Sequence, residues 1–394
     1  MKLCETLCDS VVKKLLIAVL VLLLEPIILN GQVRIRLFTS NDPEYAIFSV
    51  TQGSYEINSY SGQPIVLKNG ELAMMSEYNG RLAIKTGNSA SLVCDSVIFS
   101  GKTGNESFTL RVNGKTPSRQ FYSGDLQCIP DLETILLINI CDIESYIAGV
   151  VKAEGGSGKN IEYFKTQAII ARTYMYKYFN KHSADRFNLC DNTHCQAFNG
   201  ITNDSIIKRA SNETRGLVIL GLDSTLIISA FHSNCGGETS PAEFAWTTGQ
   251  PYLKRVSDPW CRTSRNATWT KSISIDSWTD YLSKAGFIGN ISDRSQFNFS
   301  PESRQNEYRA GTFTYPMRQI RNDLNLKSAF FTLLVDGDSV IFNGRGYGHG
   351  VGLCQEGAMV MASKGYTYSQ IIGFYYSGVI IADITKAVKK EDSF

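Results

Sequence analysis

The sequence has few histidines and little excess charge. The apolar run near its N-terminus is too short to cross a membrane. Its 394 residues include only four histidines, and its formal net charge is +2. A nearly neutral chain gives no electrostatic reason to expect nucleic acid or another acidic polymer as a partner. Hydrophobic residues make up 43% of the chain, which is enough for a sizeable core. The length favours two structural units.

The N-terminal segment has the composition of a secretory signal peptide. Lys13 and Lys14 precede the apolar run 15–24, and a small residue, Gly31, follows a short distance later. The run is shorter than the roughly 20 residues that a transmembrane helix needs. The pattern predicts a signal peptide over residues 1–31 and an exported protein, in the periplasm or at the extracellular face of a cell wall. Further apolar residues after the run leave an uncleaved membrane anchor as the alternative.

The rest of the chain divides by its pattern into a β-rich part and a mixed part. Residues 32–130 alternate short β-type runs with Gly-Asn and Asn-Gly turns, which predicts a β-rich N-terminal domain. Residues 131–385 alternate helical segments with hairpins, at 217–230 and 331–342, and contain no repeat or low-complexity tract. A charged tail, 386–394, follows. The predicted fold class is α+β, a β-rich domain followed by a mixed α+β catalytic domain.

One acid and two bases stand out in an otherwise small and apolar stretch. Residues 161–179 have apolar side chains at three- and four-residue intervals and predict a helix. Lys165 and Arg172 are seven residues apart, so two turns place them on one face of that helix. Glu154, just before it, could donate and accept a proton against an anionic or polyhydroxy substrate. The alternative is a surface glutamate beside two solvated cations.

Several ordered blocks of the second part resemble a known family. They are the segments 144–154, 165–174, 190–196, 231–237, 251–261 and 344–358, which include Cys-Asp-Asn-Thr-His-Cys-Gln and Gly-Arg-Gly-Tyr-Gly-His-Gly. In order and character these blocks resemble the stage II sporulation protein D family, which includes the amidase enhancers of bacterial cell-wall remodelling. The resemblance covers residues 131–384.

This resemblance implies a peptidoglycan lytic transglycosylase that needs no cofactor for catalysis. Such an enzyme cuts the bond between N-acetylmuramic acid and N-acetylglucosamine and leaves a 1,6-anhydro product, here on peptide-stripped glycan strands. The family's acid corresponds to Glu154. One glutamate suffices, because it can protonate the leaving oxygen and then, as a carboxylate, take the proton of the attacking 6-hydroxyl. The alternative is a non-catalytic glycan-binding protein that enhances a cell-wall amidase. No His-Glu-x-x-His segment is present, so a zinc hydrolase is disfavoured.

The same blocks supply the side chains that we expect to contact substrate. Arg172 suits the lactyl carboxylate of muramic acid, because a guanidinium binds a carboxylate through two parallel hydrogen bonds. The glycine-rich block lacks the Lys-Ser/Thr ending of a phosphate-binding loop. It could line a glycan, or it could be a tight crossing of two backbone segments. The predicted substrate-binding residues are Lys165, Gln167, Arg172, His232, Ser233, Tyr347, His349 and Gln355.

The cysteines allow a metal site and disulfides. Three of the four histidines lie in the blocks listed above, and two of the four are close to a pair of cysteines. His182, Cys190, His194 and Cys195 would form a closed structural zinc site, with a Cys190–Cys195 disulfide as the alternative.

Eight cysteines follow the predicted signal peptide, an even number that permits disulfides in an exported protein. Cys235 and Cys261 each close a motif and are separated by a loop rich in turn residues. We therefore predict a disulfide between these two.

Overall fold

The computed structural model describes residues 31–58, 64–88, 90–113, 120–156, 160–246 and 248–388. The predicted signal peptide, apart from Gly31, and most of the predicted charged tail lie outside these ranges. Within them, no helix combines the length and the apolar character needed to cross a membrane.

Among the described residues up to Asp142, every regular element is a strand, as the turn-rich pattern predicts. In β2, every second side chain, Ala46, Phe48 and Val50, is buried, which is the period of a strand with one face on a core. The twelve strands are β1 Gln32–Arg36, β2 Tyr45–Gln52, β3 Ser54–Asn58, β4 Ile65–Lys68, β5 Leu72–Tyr78, β6 Arg81–Thr86, β7 Ser91–Cys94, β8 Val97–Gly101, β9 Ser107–Val112, β10 Phe121–Ser123, β11 Asp125–Asp131 and β12 Thr134–Asp142.

These strands form two sheets that pack face to face. With the short strand β13, Leu189–Cys190, one sheet has the order β13-β1-β12-β11-β8-β3-β4, and the other has the order β10-β9-β2-β5-β6-β7. The ring of Phe48 in the second sheet lies 4.5 Å from that of Phe99 in the first. Aromatic rings bury large apolar areas, so this contact joins the sheets at the centre of a sandwich.

Helices begin where the sandwich ends. The first follows β12 without a loop, and the Asp142 side chain accepts a hydrogen bond from Ser145 N at 2.9 Å to cap it. The seven α-helices of the described ranges are α1 Ile143–Glu154, α2 Ile161–Lys177, α3 Ser205–Glu213, α4 Ile275–Lys284, α5 Met317–Asp323, α6 Gln355–Ser363 and α7 Tyr368–Tyr375. Helix α2 confirms the helix predicted over residues 161–179, ending two residues earlier. Its predicted apolar stripe, from Phe164 to Met175, is buried.

The remaining strands are short and lie among the helices. They are β14 Leu217–Gly221, β15 Phe231–His232, β16 Thr268–Ser274, β17 Glu307–Ala310, β18 Phe313–Pro316, β19 Phe331–Asp336, β20 Ser339–Arg345, β21 Leu353–Cys354 and β22 Val379–Asp383. The hairpin predicted at 331–342 is confirmed as β19 and β20. The hairpin predicted at 217–230 is present in short form: Gly221 N donates to Thr225 O at 2.8 Å, and Leu220 forms an antiparallel bridge with Leu226. The longer partner of β14 is β22, from the C-terminal end, which the pattern did not predict.

Two hydrophobic cores organise these elements. The larger runs without a break from the sandwich into α1, α2, α6 and α7, and it therefore crosses the domain boundary predicted between residues 130 and 131. The smaller core is built only from residues 269–342, around Trp278 and Phe342. We call these residues the 269–342 lobe. The mixture of helices and several sheets, with a β-rich N-terminal region, confirms the predicted α+β class.

Candidate functional site

Glu154 is the last residue of α1 and lies at the meeting point of three segments. Its carboxylate accepts a hydrogen bond from the backbone N–H of Ala197. Its backbone carbonyl accepts one from Gln355 Nε2 at 2.7 Å. Glycine follows it at position 155, where an added Cβ would lie 2.4 Å from Val151 O. The chain can therefore turn closely around the end of the helix and leave the glutamate side chain in place.

The carboxyl of Glu154 is poorly solvated and has no cationic partner. Burial raises its pKa to about 7, opposed only by the hydrogen bond from Ala197 N–H. Among the described residues, no lysine, arginine or histidine forms a salt bridge with it. Near neutral pH this carboxyl exists in both protonation states, which is the property of a group that first donates and then accepts a proton.

Two tyrosines lie near enough to Glu154 for its charge to act on them. Burial raises the pKa values of Tyr146 and Tyr174, and the charge of Glu154 contributes to both shifts. Tyr146 donates a hydrogen bond to Gln196 Oε1 at 3.3 Å. Both phenols are neutral, so they are hydrogen-bonding groups beside the acid and not competing bases. Neither tyrosine is among the predicted site residues, because an aromatic residue in an apolar helix is as well explained by core packing.

Arg172 is enclosed in an ion pair with Glu144, a position that argues against its predicted role in substrate binding. Its side chain is 0% exposed. Its Nε donates to Glu144 Oε1 at 3.0 Å, and its Nη2 donates to Glu144 Oε2 at 2.5 Å. The remaining donors reach the carbonyls of Leu217 and Ser211. A guanidinium enclosed in this way has no route to a glycan, and instead it joins α1, α2 and α3.

The other predicted polar residues of α2 are also engaged or enclosed. Lys165 Nζ lies 3.0 Å from Glu162 Oε1 and 2.8 Å from Glu213 Oε2, and its side chain is 16% exposed. The hydrogen bond to Glu213 is the largest cause that raises the pKa of Lys165. Gln167 is buried, which contradicts a contact with a surface substrate. No described hydrogen bond or salt bridge connects either residue to Glu154.

The predicted histidines of the glycine-rich region lie together, in neutral form. The rings of His232 and His349 are 5.6 Å apart. Burial lowers the pKa of His232 well below its usual value, and it lowers that of His349 to about 4. His349 Nδ1 accepts a hydrogen bond from Val351 N at 3.0 Å. Both imidazoles are therefore hydrogen-bonding groups at neutral pH, without positive charge.

The glycine-rich block crosses the 232–237 segment at close range. Gly346 has φ +80°, and an added Cβ would lie 2.6 Å from the carbonyl oxygen of Asn234. Asn234 and Tyr347 form an isolated β-bridge. This confirms the tight crossing, one of the two interpretations of the block. Tyr347 itself is 45% exposed at the surface of the crossing, and Ser233 Oγ accepts from Asn266 Nδ2 at 3.4 Å. Of the predicted residues in this region, only Gln355 contacts Glu154 directly.

The four predicted zinc ligands converge on one point. The ligand atoms of His182, Cys190, His194 and Cys195 all lie within 4.8 Å of one another. Cys195 Sγ is 3.4 Å from His182 Nε2, and Cys190 Sγ is 3.6 Å from His194 Nδ1. His182 Nδ1 lies 3.2 Å from Asp185 Oδ2, a contact that orients the ring with Nε2 toward the sulfurs. The two cysteines are not joined by a disulfide.

A second cluster holds the cysteines predicted as a disulfide. The sulfurs of Cys235 and Cys261 are neighbours at 3.3 Å but are not bonded, since a disulfide has an S–S length near 2.05 Å. Asp258 and Cys354 complete the cluster, with all four ligand atoms within 4.8 Å of one another. The sequence offers one clue to it, the Asp-Pro-Trp-Cys spacing at 258–261. The contribution of Cys354 depends on tertiary contact alone.

Comparison with known proteins shows the family to which the chain belongs. A family model described as stage II sporulation protein matches residues 132–220. The stage II sporulation protein D of Bacillus subtilis is 30% identical over 268 residues, covering 63% of this chain and 76% of that protein. The chain belongs to the stage II sporulation protein D family.

Two further relatives show the range of the family. An uncharacterised protein of Brachyspira hyodysenteriae is 28% identical over 349 residues, covering 86% of this chain and 90% of that protein. The amidase enhancer of Bacillus subtilis is 28% identical over 288 residues, covering 60% of this chain and 40% of that protein. The segment matched by the sporulation family model contains Glu154 and Ala197. It also contains His182, Cys190, His194 and Cys195, which we call the His182 cluster. The cluster around Cys235 lies outside that segment.

Proposed function

We propose that this sporulation protein D relative is a peptidoglycan lytic transglycosylase with Glu154 as its acid and base. The observation that carries the proposal is the state of the Glu154 carboxyl. Burial raises its pKa to about 7, and no lysine, arginine or histidine of the described residues forms a salt bridge with it. A leaving glycosidic oxygen needs a protonated acid, which an ordinary solvated carboxyl does not provide at neutral pH.

The reaction proceeds with this one carboxyl. Protonated Glu154 gives its proton to the oxygen that leaves the muramic acid carbon. The resulting carboxylate takes the proton of the 6-hydroxyl as that oxygen attacks the same carbon, and the 1,6-anhydro ring closes. The Ala197 N–H stabilises the carboxylate form between the two transfers. Hydrolysis would need a second carboxylate, to act as nucleophile or to activate water.

The two acids nearest in sequence do not serve that purpose. Glu144 is enclosed with Arg172, and Glu162 accepts from Lys165 Nζ and from Tyr368 N at 2.9 Å. Their engagement favours an intramolecular nucleophile supplied by the substrate. The enclosure of Arg172 removes the residue that we expected at the lactyl carboxylate, so the preference for peptide-stripped glycan now depends on the experiment below.

We further propose that His182, Cys190, His194 and Cys195 hold one structural zinc ion. Two thiols and two imidazoles are a donor set that zinc prefers, and four protein ligands leave no position for a reactive water. When bound, zinc would supply folding energy and not a nucleophile. Cys195 lies two residues before Ala197. The ligands would therefore fix the loop that presents the Ala197 N–H to Glu154.

Export to the cell wall is part of the proposal, with glycan strands as the partner. The lysine-flanked apolar segment at the N-terminus supports export. Family membership supports a wall polymer as the ligand.

Mass spectrometry of digested glycan tests the proposal. Purified protein should release fragments with 1,6-anhydro ends, lighter by one water than hydrolytic fragments, from strands with and without stem peptides. Glu154→Gln should lower the rate at least ~100-fold, whereas the matched control Glu162→Gln should retain cleavage. Only hydrolytic ends would contradict the transglycosylase chemistry. Tight glycan binding without cleavage by the wild-type protein would support an amidase enhancer instead.

A further inference from the structure

The cluster of Cys235, Asp258, Cys261 and Cys354 has no role in the chemistry proposed above. All four residues are 0% exposed. They come from three separate segments: the crossing near 235, the loop at 258–261, and the start of α6. Their ligand atoms lie within 4.8 Å of one another. Four converging ligand atoms in a closed space match the protein shell of a structural metal ion.

The distances fit a metal better than a disulfide. Cys235 Sγ is 3.3 Å from Cys261 Sγ and 3.2 Å from Asp258 Oδ2. Tetrahedral ligands at about 2.3 Å from zinc are about 3.7 Å from each other, whereas bonded sulfurs are about 2.05 Å apart. A disulfide would also use two of the three cysteines and leave the third thiol buried beside it, in position for exchange.

Asp258 is a buried carboxylate without a paired positive charge among the described residues. Its carboxylate accepts from Tyr375 OH at 2.9 Å and from Trp260 N at 2.8 Å. Among the described residues it has no salt-bridge partner. A buried carboxylate without a cation is costly, and a divalent ion at the cluster would compensate it.

Arg304, beside the cluster, is a buried cation that lacks an anionic partner among the described residues. This arginine is buried, forms no salt bridge among the described residues, and donates to the carbonyl oxygen of Cys235 at 2.7 Å. Three thiolates and one carboxylate outweigh the charge of a zinc ion, so the bound site would be anionic. Arg304 would then be the outer cation that balances it.

Backbone donors are aimed at the sulfur of Cys354. Cys235 N lies 3.3 Å and Gly357 N lies 3.4 Å from Cys354 Sγ, which also caps the N-terminus of α6. Amides that point at a sulfur stabilise a thiolate, the form that binds metal.

We propose that Cys235, Asp258, Cys261 and Cys354 bind a second structural zinc ion, independent of the His182 cluster. The ion would fix the start of α6, where Gln355 donates to the Glu154 carbonyl. The site thus links the glycine-rich crossing to the end of α1. It is closed by four protein ligands and takes no part in bond cleavage.

Metal analysis tests this proposal without any activity assay. The full chain is purified without reductant, and its zinc is measured by native mass spectrometry and by elemental analysis. The wild-type protein should carry two equivalents, Cys190→Ser one, and Cys354→Ser or Asp258→Asn one. The control Cys141→Ser changes a cysteine that is also buried but lies outside both clusters, and it should retain two.

Two results would overturn the proposal. One is that the wild-type protein contains zinc but Cys190→Ser contains none. The other is a Cys235–Cys261 disulfide found in a non-reducing digest. Both are measured on wild type or on Cys190→Ser, so they remain decisive if Cys354→Ser or Asp258→Asn does not fold. Neither depends on whether the protein cleaves glycan.

Discussion

At the residue scale, the desolvated carboxyl of Glu154 predicts a particular pH dependence. Activity that needs protonated Glu154 should be constant below pH 7 and fall about tenfold per pH unit above it. Stability gives a second measurement. The pKa rises on folding from 4.5 to about 7, so the folded state binds more protons in that interval. The free energy of unfolding of wild type, relative to Glu154→Gln, should therefore fall as pH rises through it. A difference that increases with pH would contradict the assignment.

The Arg172–Glu144 pair predicts a stability effect at the same scale. Arg172→Ala leaves the Glu144 carboxylate buried and unpaired, and this should cost about 3–5 kcal/mol of unfolding free energy. Lys165→Ala, the control on the same helix, should cost no more than about 1 kcal/mol, because its ion pairs are partly solvated. Denaturant unfolding of both variants measures the difference. Equal losses would show that the enclosed pair has no special role.

The sequence was sufficient to find Glu154 but not to separate it from its basic neighbours. A glutamate in a small, apolar stretch is visible in the sequence, and so is the helical spacing of Lys165 and Arg172. The sequence does not show which face of α2 packs against the rest of the protein. In the structure, Glu144 of α1 pairs with Arg172, so the face of α2 that carries Arg172 is turned toward α1. Likewise, no sequence pattern marks the backbone N–H of Ala197 as the donor to Glu154.

At the element scale, the contact between the N-terminus of α6 and the C-terminus of α1 predicts an effect on catalysis. Gln355 donates to the Glu154 carbonyl at 2.7 Å, one of the terminal carbonyls that a helix leaves without internal partners. Gln355→Leu should lower the unfolding free energy by about 0.5–1.5 kcal/mol and reduce the rate of glycan cleavage several-fold.

A second glutamine provides the control. Gln370 of α7 takes part in the capping box of its own helix, with Thr367, and has no hydrogen bond to another element among the described residues. Gln370→Leu should cost a similar amount of stability but leave the cleavage rate unchanged. If both variants lose activity equally, the contact with Glu154 has no positioning role.

Local pattern predicted the elements better than their pairing. The period of buried residues was enough for α2 and for the hairpin of β19 and β20, because each is determined by neighbours in sequence. The strand β14 forms an isolated bridge with the segment that follows its turn, but it pairs along its whole length with β22, more than 150 residues away. Nothing near β14 in the chain indicates that partner, so the pattern predicted the local turn after β14 but not the longer pairing.

At the scale of the whole molecule, the arrangement of cores departs most from the sequence pattern. A change from strands to helices near residue 131 predicted a domain boundary, yet β12 leads directly into α1 and one core covers both. The second core lies instead within the mixed region, in the 269–342 lobe. The lobe is defined by the contacts among residues far apart within 269–342, which the sequence pattern does not show.

Two separate cores predict that the 269–342 lobe can lose stability on its own. Phe342 and Phe99 are both 0% exposed, the first in the lobe and the second in the sandwich. Either Phe→Ala change should cost about 3–5 kcal/mol, but in different places. For Phe342→Ala, hydrogen exchange should accelerate across the lobe while α1 and α2 keep their protection. For Phe99→Ala, protection should fall in the strands and in α1 and α2 together, because they share one core. If Phe342→Ala accelerates exchange equally in α1 and α2, the two cores form one cooperative unit.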